Sequence, residues 1–210
     1  QRSLFDALCA KKLNKEFQEE EPRGTILIVE HPAVYTLGKS GHAENMLCSK
    51  EYLESLGAEV YHIDRGGDIT FHGPGQLVCY PIVDLDAIGL GVRRYIEALE
   101  QTIIDLAAEY GIEAHRSEGA SGVWVTTPQK RLVKLCAIGV RASHSVTMHG
   151  LAMNVCTDLK WFELINPCGF TDRGVCSLST LCNREVTMEE VKPKFIYHLT
   201  KNLNVKIYKK

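Results

Sequence analysis

The apolar runs of this chain are strand-sized, and that feature limits its fold more than any other. Thr25 to Val29 and Leu135 to Val140 are among the longest, far below the ~20 residues a membrane-spanning helix requires. Gly- and Pro-containing breaks separate them, so the core must come largely from short strands covered by a few helices. Strands are expected near 25–30, 33–37, 58–64, 77–83, 112–115, 122–126, 132–140 and 146–155. Helical periodicity is clearest from Val92 to Tyr110, where Tyr95, Ile96, Leu99, Ile103 and Leu106 share one face and Gly111 closes the run. Phe5, Cys9, Leu13 and Phe17 form a second helical stripe. Ser49 can cap a short helix through Leu56, and Asp158 to Ile165 reads as another. Thr187 to Glu190 is a capping box with Val186 and Val191 as its hydrophobic staple, and Pro193 is expected to kink or delay the helix that follows.

These elements show no regular βαβ alternation, repeat or linker, so the fold class is α+β: a mixed β-sheet flanked by helices, in one domain spanning 1–210. A formal charge of −2, from 24 Lys+Arg against 26 Asp+Glu, gives no footprint for nucleic acid, and no span for a membrane is expected. The chain starts at Gln1 with neither Met nor a signal-peptide apolar region, which suggests a trimmed start. Its first residues are not Arg-rich and acid-poor, which favours the bacterial cytoplasm over the mitochondrial matrix. Eight cysteines include no C-x-x-C pair and no histidine set beside them, although His144 and His149 are close, so no metal site is expected. Several sit in strand-like runs as small buried hydrophobes of a reducing compartment.

Four places look like chemistry. Lys134 interrupts a run, Leu132 to Val140, that is otherwise apolar on both faces; it either snorkels to water or needs a partner. Cys168 lies between Pro167 and Gly169 in a constrained turn, unlike the other cysteines. A thiol there becomes a nucleophile if a cationic Lys lowers its pKa or a neutral one takes its proton, and is otherwise merely structural. Arg65 to Gln76 reads R-G-G-D-I-T-F-H-G-P-G-Q, which is neither a P-loop nor a dinucleotide fingerprint but lets a substrate approach backbone N–H groups. In Met148 to Asn154, Gly150 and Ala152 leave space on a strand-like segment, or mark a bulge.

Together, Glu30 to Gly38, Arg65 to Leu85, Lys134 to Gly139, His149 to Asn154 and Ile165 to Gly169 resemble the lipoyl(octanoyl) transferases, in family order and over most of the chain. The resemblance implies a fold similar to the biotin/lipoate protein ligase catalytic domain. It implies Cys168 as the acyl-thioester nucleophile and Lys134 as its activating partner. Arg65, Gly66, Gly67, Asp68, Ile69, Thr70, Phe71, His72, Ala137, Ile138, Gly139, Gly150, Leu151 and Ala152 would line the acyl pocket. The donor would be octanoyl-acyl carrier protein, and the acceptors the lipoyl domains of 2-oxo acid dehydrogenase complexes and the glycine cleavage H protein. Neither ATP nor metal is expected as a cofactor. His31, His72 and His149 fall in the same motifs. Arg93, Arg94, Lys11, Lys12, Lys15 and the terminal lysines are candidates for a basic rim facing an acidic carrier, or simply a solvated face. Two alternatives stand beside this reading: an ATP-dependent lipoate or biotin ligase on the same fold, and an inactive module binding lipoyl domains or acyl carriers.

Overall fold

A computed structural model describes residues 1–18, 21–167 and 173–208. Among them the larger sheet runs β1 (Gly24–Val29), β5 (Gln76–Val83), β9 (Val146–Asn154), β8 (Leu132–Ser143), β7 (Ala120–Thr126), β6 (Ala114–Ser117), each pair antiparallel. A short β10 (Gly174–Val175) joins β8 in parallel. The smaller sheet runs β3 (Glu59–His62), β2 (Val34–Leu37), β4 (Ile69–His72), with β3 parallel and β4 antiparallel to β2.

Side-chain alternation decides which face each sheet turns inward. On β5, Leu77 and Cys79 join the core under α3 (Val92–Ala108) and α5 (Met188–Leu203), while Val78 and Tyr80 face a cavity on the opposite side. Tyr95, Leu99, Ile103 and Leu106 of α3 and Val191, Phe195 and Leu199 of α5 fill that core, as their 3.6-residue spacing requires. The small sheet has its own core. Tyr35, Leu37, Ile69 and Phe71 pack with Leu53 of α2 (Lys50–Ser55) and with Phe162 of a 3₁₀ segment (Leu159–Leu164), and Phe71 stacks on Trp161 at 5.3 Å. Phe5 and Leu8 of α1 (Arg2–Asn14) cover Ile82, Val146 and Met148. A last short helix, α4 (Leu178–Cys182), carries a reciprocal Ser177–Thr180 cap.

Several local expectations are corrected. Strand β4 lies inside the Gly-rich stretch read as a loop, because four residues between glycines show too little pattern to announce a strand. The first helix ends at Asn14, with Lys15 left-handed at φ 56°, so Phe17 leaves the stripe and instead lies under the Arg23 guanidinium at 3.8 Å. Asp158 starts a 3₁₀ segment rather than an α-helix, accepting from the Lys160 N–H. Only half of the predicted capping box forms: Thr187 accepts from the Glu190 N–H, while the Glu190 carboxylate turns to Arg184. Pro193 does not delay α5, which runs unbroken from Met188. No described helix is long and apolar enough to cross a membrane.

Candidate active site

Between the two sheets lies a cavity of about 280 Å³. One wall is the small sheet, through Val34 and Thr36 of β2, Tyr61 of β3, and Thr70 and His72 of β4. The other is the large sheet, through Val78 and Tyr80 of β5, Ala137 to Gly139 of β8 and His149 to Ala152 of β9. Its small residues are close-packing devices. A Cβ at Gly139 would stand 2.6 Å from the Gly66 carbonyl oxygen, so only glycine lets the Arg65–Gly67 segment lie against β8. The Gly66 N–H completes that contact by donating to the Val140 carbonyl at 3.2 Å.

Of the residues predicted to line an acyl pocket, Arg65, Gly66, Gly67, Thr70, His72, Ala137, Ile138, Gly139, Gly150, Leu151 and Ala152 border this cavity. Asp68, Ile69 and Phe71 do not. On β4 alternate residues point oppositely, so Ile69 and Phe71 enter the small sheet's core while Thr70 and His72 face the cavity. Asp68 turns away to accept from the His42 N–H, the Asn45 amide and the Ile69 N–H. Tyr80, Val78, Thr36 and Val34 border the cavity without having been singled out. Their signal was alternation within the resembling motifs, visible only once the buried face of each strand is known.

Polar groups at the cavity are tightly held. Arg65, buried, donates to the Thr36 carbonyl and hydroxyl at 2.7 and 3.0 Å, and to the Gly66 carbonyl. His31 shares a 2.7 Å hydrogen bond with the Tyr80 hydroxyl, and burial lowers its pKa. His149, left-handed at φ 61° within a strand, meets Asp64 at 2.9 Å. Burial lowers the His149 pKa even against that carboxylate. Burial raises the Asp64 pKa, but hydrogen bonds from Arg2 and His149 and the Arg141 charge outweigh it and hold the carboxyl well below its usual range. His72 is lowered to about 4, chiefly by burial. Buried surroundings push the Cys79 and Cys136 thiols upward and Cys176 to about 12, which leaves all three protonated at neutral pH.

Lys134 is 6% exposed, with Nζ 4.5 Å from the centre of the Trp124 ring, which the Arg173 guanidinium also faces at 5.1 Å. A bulge presents it. Trp124 pairs with Lys134 and Val123 with Cys136, which leaves Leu135 as an extra residue on β8. Leu135 and Cys136 therefore both enter the helix-covered core, and the inward set continues with Ala137 and Gly139 at the cavity. Strand β10, which follows Cys168 in the sequence, pairs Val175 with Lys134, and the Cys176 N–H donates to the Lys134 carbonyl at 3.0 Å. Cys168 itself lies outside the described residues. Among the described residues no cluster of three or more His, Cys, Asp or Glu is placed to hold a metal. Of the proposed basic rim, Lys11 pairs with Glu21, Lys12 with Asp84 and Asp86, and Arg93 with Glu97.

The model of the lipoyl protein ligase A/B catalytic domain matches residues 6–200. The chain belongs to this family. An octanoyltransferase of Bacteroides fragilis is 54% identical over 194 residues, covering 92% of this chain and 86% of that protein. One from Bacteroides thetaiotaomicron is 51% identical over 206 residues, covering 98% and 89%. Among solved structures, the bipartite lipoate protein ligase of Thermoplasma acidophilum superposes with a TM-score of 0.71 at 15% identity, covering 99% of this chain and 82% of that one. A lipoate-protein ligase A bound with ATP gives 0.72 at 15% identity, covering 99% and 83%. At such identities these two structures establish the fold: a biotin/lipoate ligase-like catalytic domain of α+β class.

Proposed function

We propose that this acyltransferase moves an octanoyl group from acyl carrier protein to a lysine of lipoyl domains, by way of a thioester on Cys168. Octanoyl transfer for protein lipoylation is supported by the family match and by the octanoyltransferases about 50% identical over most of the chain. That identity is the observation that carries the reading. Lys134 supports the dyad chemistry, since an amine buried on a bulged strand beside the chain returning from Cys168 can take the thiol proton or stabilise the thiolate. The thiolate attacks the carrier thioester and the phosphopantetheine thiol departs, leaving octanoyl on Cys168. The acceptor lysine then attacks, the C–N bond forms and the thiolate leaves. An amide is more stable than a thioester, so the transfer runs downhill without ATP or a metal. The cavity, bordered by Val78, Ala137, Ile138, Leu151 and Ala152, offers the acyl chain apolar surface beyond the reacting carbonyl. The acceptors are lipoyl domains, with 2-oxo acid dehydrogenase complexes and the glycine cleavage H protein as their carriers. Bacterial relatives support the bacterial cytoplasm as the compartment.

The test is intact-protein mass spectrometry after mixing with octanoyl-acyl carrier protein in the absence of ATP. One hydroxylamine-labile octanoyl adduct on the wild type, absent from Cys168→Ser and strongly reduced in Lys134→Ala, is expected. Wild type that stays unmodified, yet acylates a lipoyl domain only with free octanoate and ATP, would replace this mechanism with that of a ligase.

A further inference from the structure

A hydrogen-bond relay runs from the cavity to the strand beside Lys134, and backbone carbonyls, which can only accept, fix its direction. The Cys176 carbonyl accepts from Asn154 Nδ2 at 3.1 Å, which turns Asn154 Oδ1 toward Gln76. Gln76 Nε2 donates to that oxygen at 2.9 Å and to the Phe71 carbonyl at 3.2 Å. Gln76 Oε1 is thereby left facing His72 Nδ1 at 2.8 Å. An amide oxygen cannot donate, so Nδ1 carries the proton and a neutral His72 keeps its lone pair on Nε2. His72 borders the cavity, and no described residue hydrogen-bonds to its Nε2. Gln76 and Asn154 are both buried.

The relay also ends where the chemistry begins. Register places Gln76 opposite Asn154 on β9, one residue beyond the Met153 that pairs with Cys136, so both lie toward the Lys134 end of the cavity. The carbonyl of Cys176 receives the relay, and the N–H of the same residue donates to Lys134.

We infer that His72 accepts a proton at Nε2 when the acceptor lysine attacks the acyl-enzyme, and that Gln76 and Asn154 are positioning residues that set its tautomer. This rests on the thioester mechanism proposed above. In that step the neutral amine adds to the thioester carbonyl and forms the C–N bond. As the adduct collapses, the C–S electron pair leaves on the Cys168 sulfur and the surplus proton on nitrogen passes to His72 Nε2. Lys134 serves the thiol, whereas this proton arrives on a different atom and needs a neutral acceptor. Burial, reinforced by the neighbouring charge of Arg65, keeps His72 neutral at pH 7 against the opposing hydrogen bond to Gln76.

The experiment separates the two half-reactions by rapid quench: acylation by octanoyl-acyl carrier protein, then transfer from isolated acyl-enzyme to a lipoyl domain. His72→Asn is expected to slow transfer about a hundredfold more than it slows acylation. Gln76→Leu and Asn154→Leu should reproduce that asymmetry in weaker form. Ring ¹⁵N spectra of the wild type at pH 7 should show His72 protonated on Nδ1 alone, and Gln76→Leu should lose that preference. A wild-type ring protonated on Nε2, or equal slowing of both half-reactions in His72→Asn, would overturn the inference. Failure of the wild type to form any acyl-enzyme would instead overturn the thioester mechanism on which it rests.

Discussion

Replacing Gly139 by alanine tests whether the contact between the Arg65–Gly67 segment and β8 shapes the cavity. The added Cβ would lie 2.6 Å from the Gly66 carbonyl oxygen, roughly 0.8 Å inside the 3.4 Å at which ordinary contact begins. The obstacle is backbone, and the Gly66 N–H is itself bonded to Val140, so neither partner yields by a simple rotamer change. Overpacking of this kind costs about 1–3 kcal/mol. In a chain of this size each kcal/mol moves Tm by about 2–4 °C, so a fall of about 2–12 °C is expected. A displacement of that size at the Arg65 segment should also lower octanoyl transfer to a lipoyl domain by about 10- to 100-fold. Differential scanning fluorimetry and single-turnover transfer measure the two effects. A variant with Tm within about 1 °C of wild type and undiminished transfer would refute the reasoning.

Three further outcomes are expected. Gly91, the N-cap of α3, has extended backbone and open space around it, so Gly91→Ser should supply the missing cap and stabilise by a few tenths of a kcal/mol, read as a Tm about 1 °C higher. His72 has a folded pKa of about 4 against 6.5 as its ordinary value, so as pH falls through that window the unfolded chain takes up the proton first and stability declines, by up to ~3 kcal/mol. Urea unfolding between pH 7 and 4.5 should show a shallower decline in His72→Asn, and parallel curves would contradict it. Asp64 has a depressed pKa, so its contribution is present above the ordinary carboxylate range and lost as pH falls below it. Asp64→Asn should therefore melt below wild type at pH 7, with the gap closing in acid; a constant gap would count against the ion-pair account.

Elements with strong local periodicity were legible in the sequence. The α3 stripe from Tyr95 to Leu106 repeats often enough to declare both the element and its buried face, whereas the continuous apolar run from Leu77 to Val83 announces a strand without saying which of its faces meets the cavity. Strand β4 was not, since Ile69 to His72 is too short between glycines, and its existence depends on pairing with β2. For the same reason Ile69 and Phe71 were assigned to the cavity: a motif marks a segment, while only the pleat says which residues face inward. Lys134 stood out because a charge in an apolar strand demands an explanation. Its neighbour Trp124 could not be read, because that pairing depends on a bulge displacing the register by one residue. The relay through Gln76 and Asn154 joins residues 78 apart in sequence, and no spacing rule connects them.

That same separation governs how the protein acquires its cavity. Strands β5 and β9 are neighbours within the large sheet, yet the whole of α3, β6, β7 and β8 lies between them in the chain. Their pairing must close a long loop before any contact across it repays the lost entropy, which places this domain among the high-contact-order, slow-folding topologies. The walls of the cavity are drawn from β2 at one extreme and β9 at the other, so a nascent chain has no partial version of it. Acyl-binding capacity should therefore appear on refolding only with global folding, and not in any earlier collapsed phase.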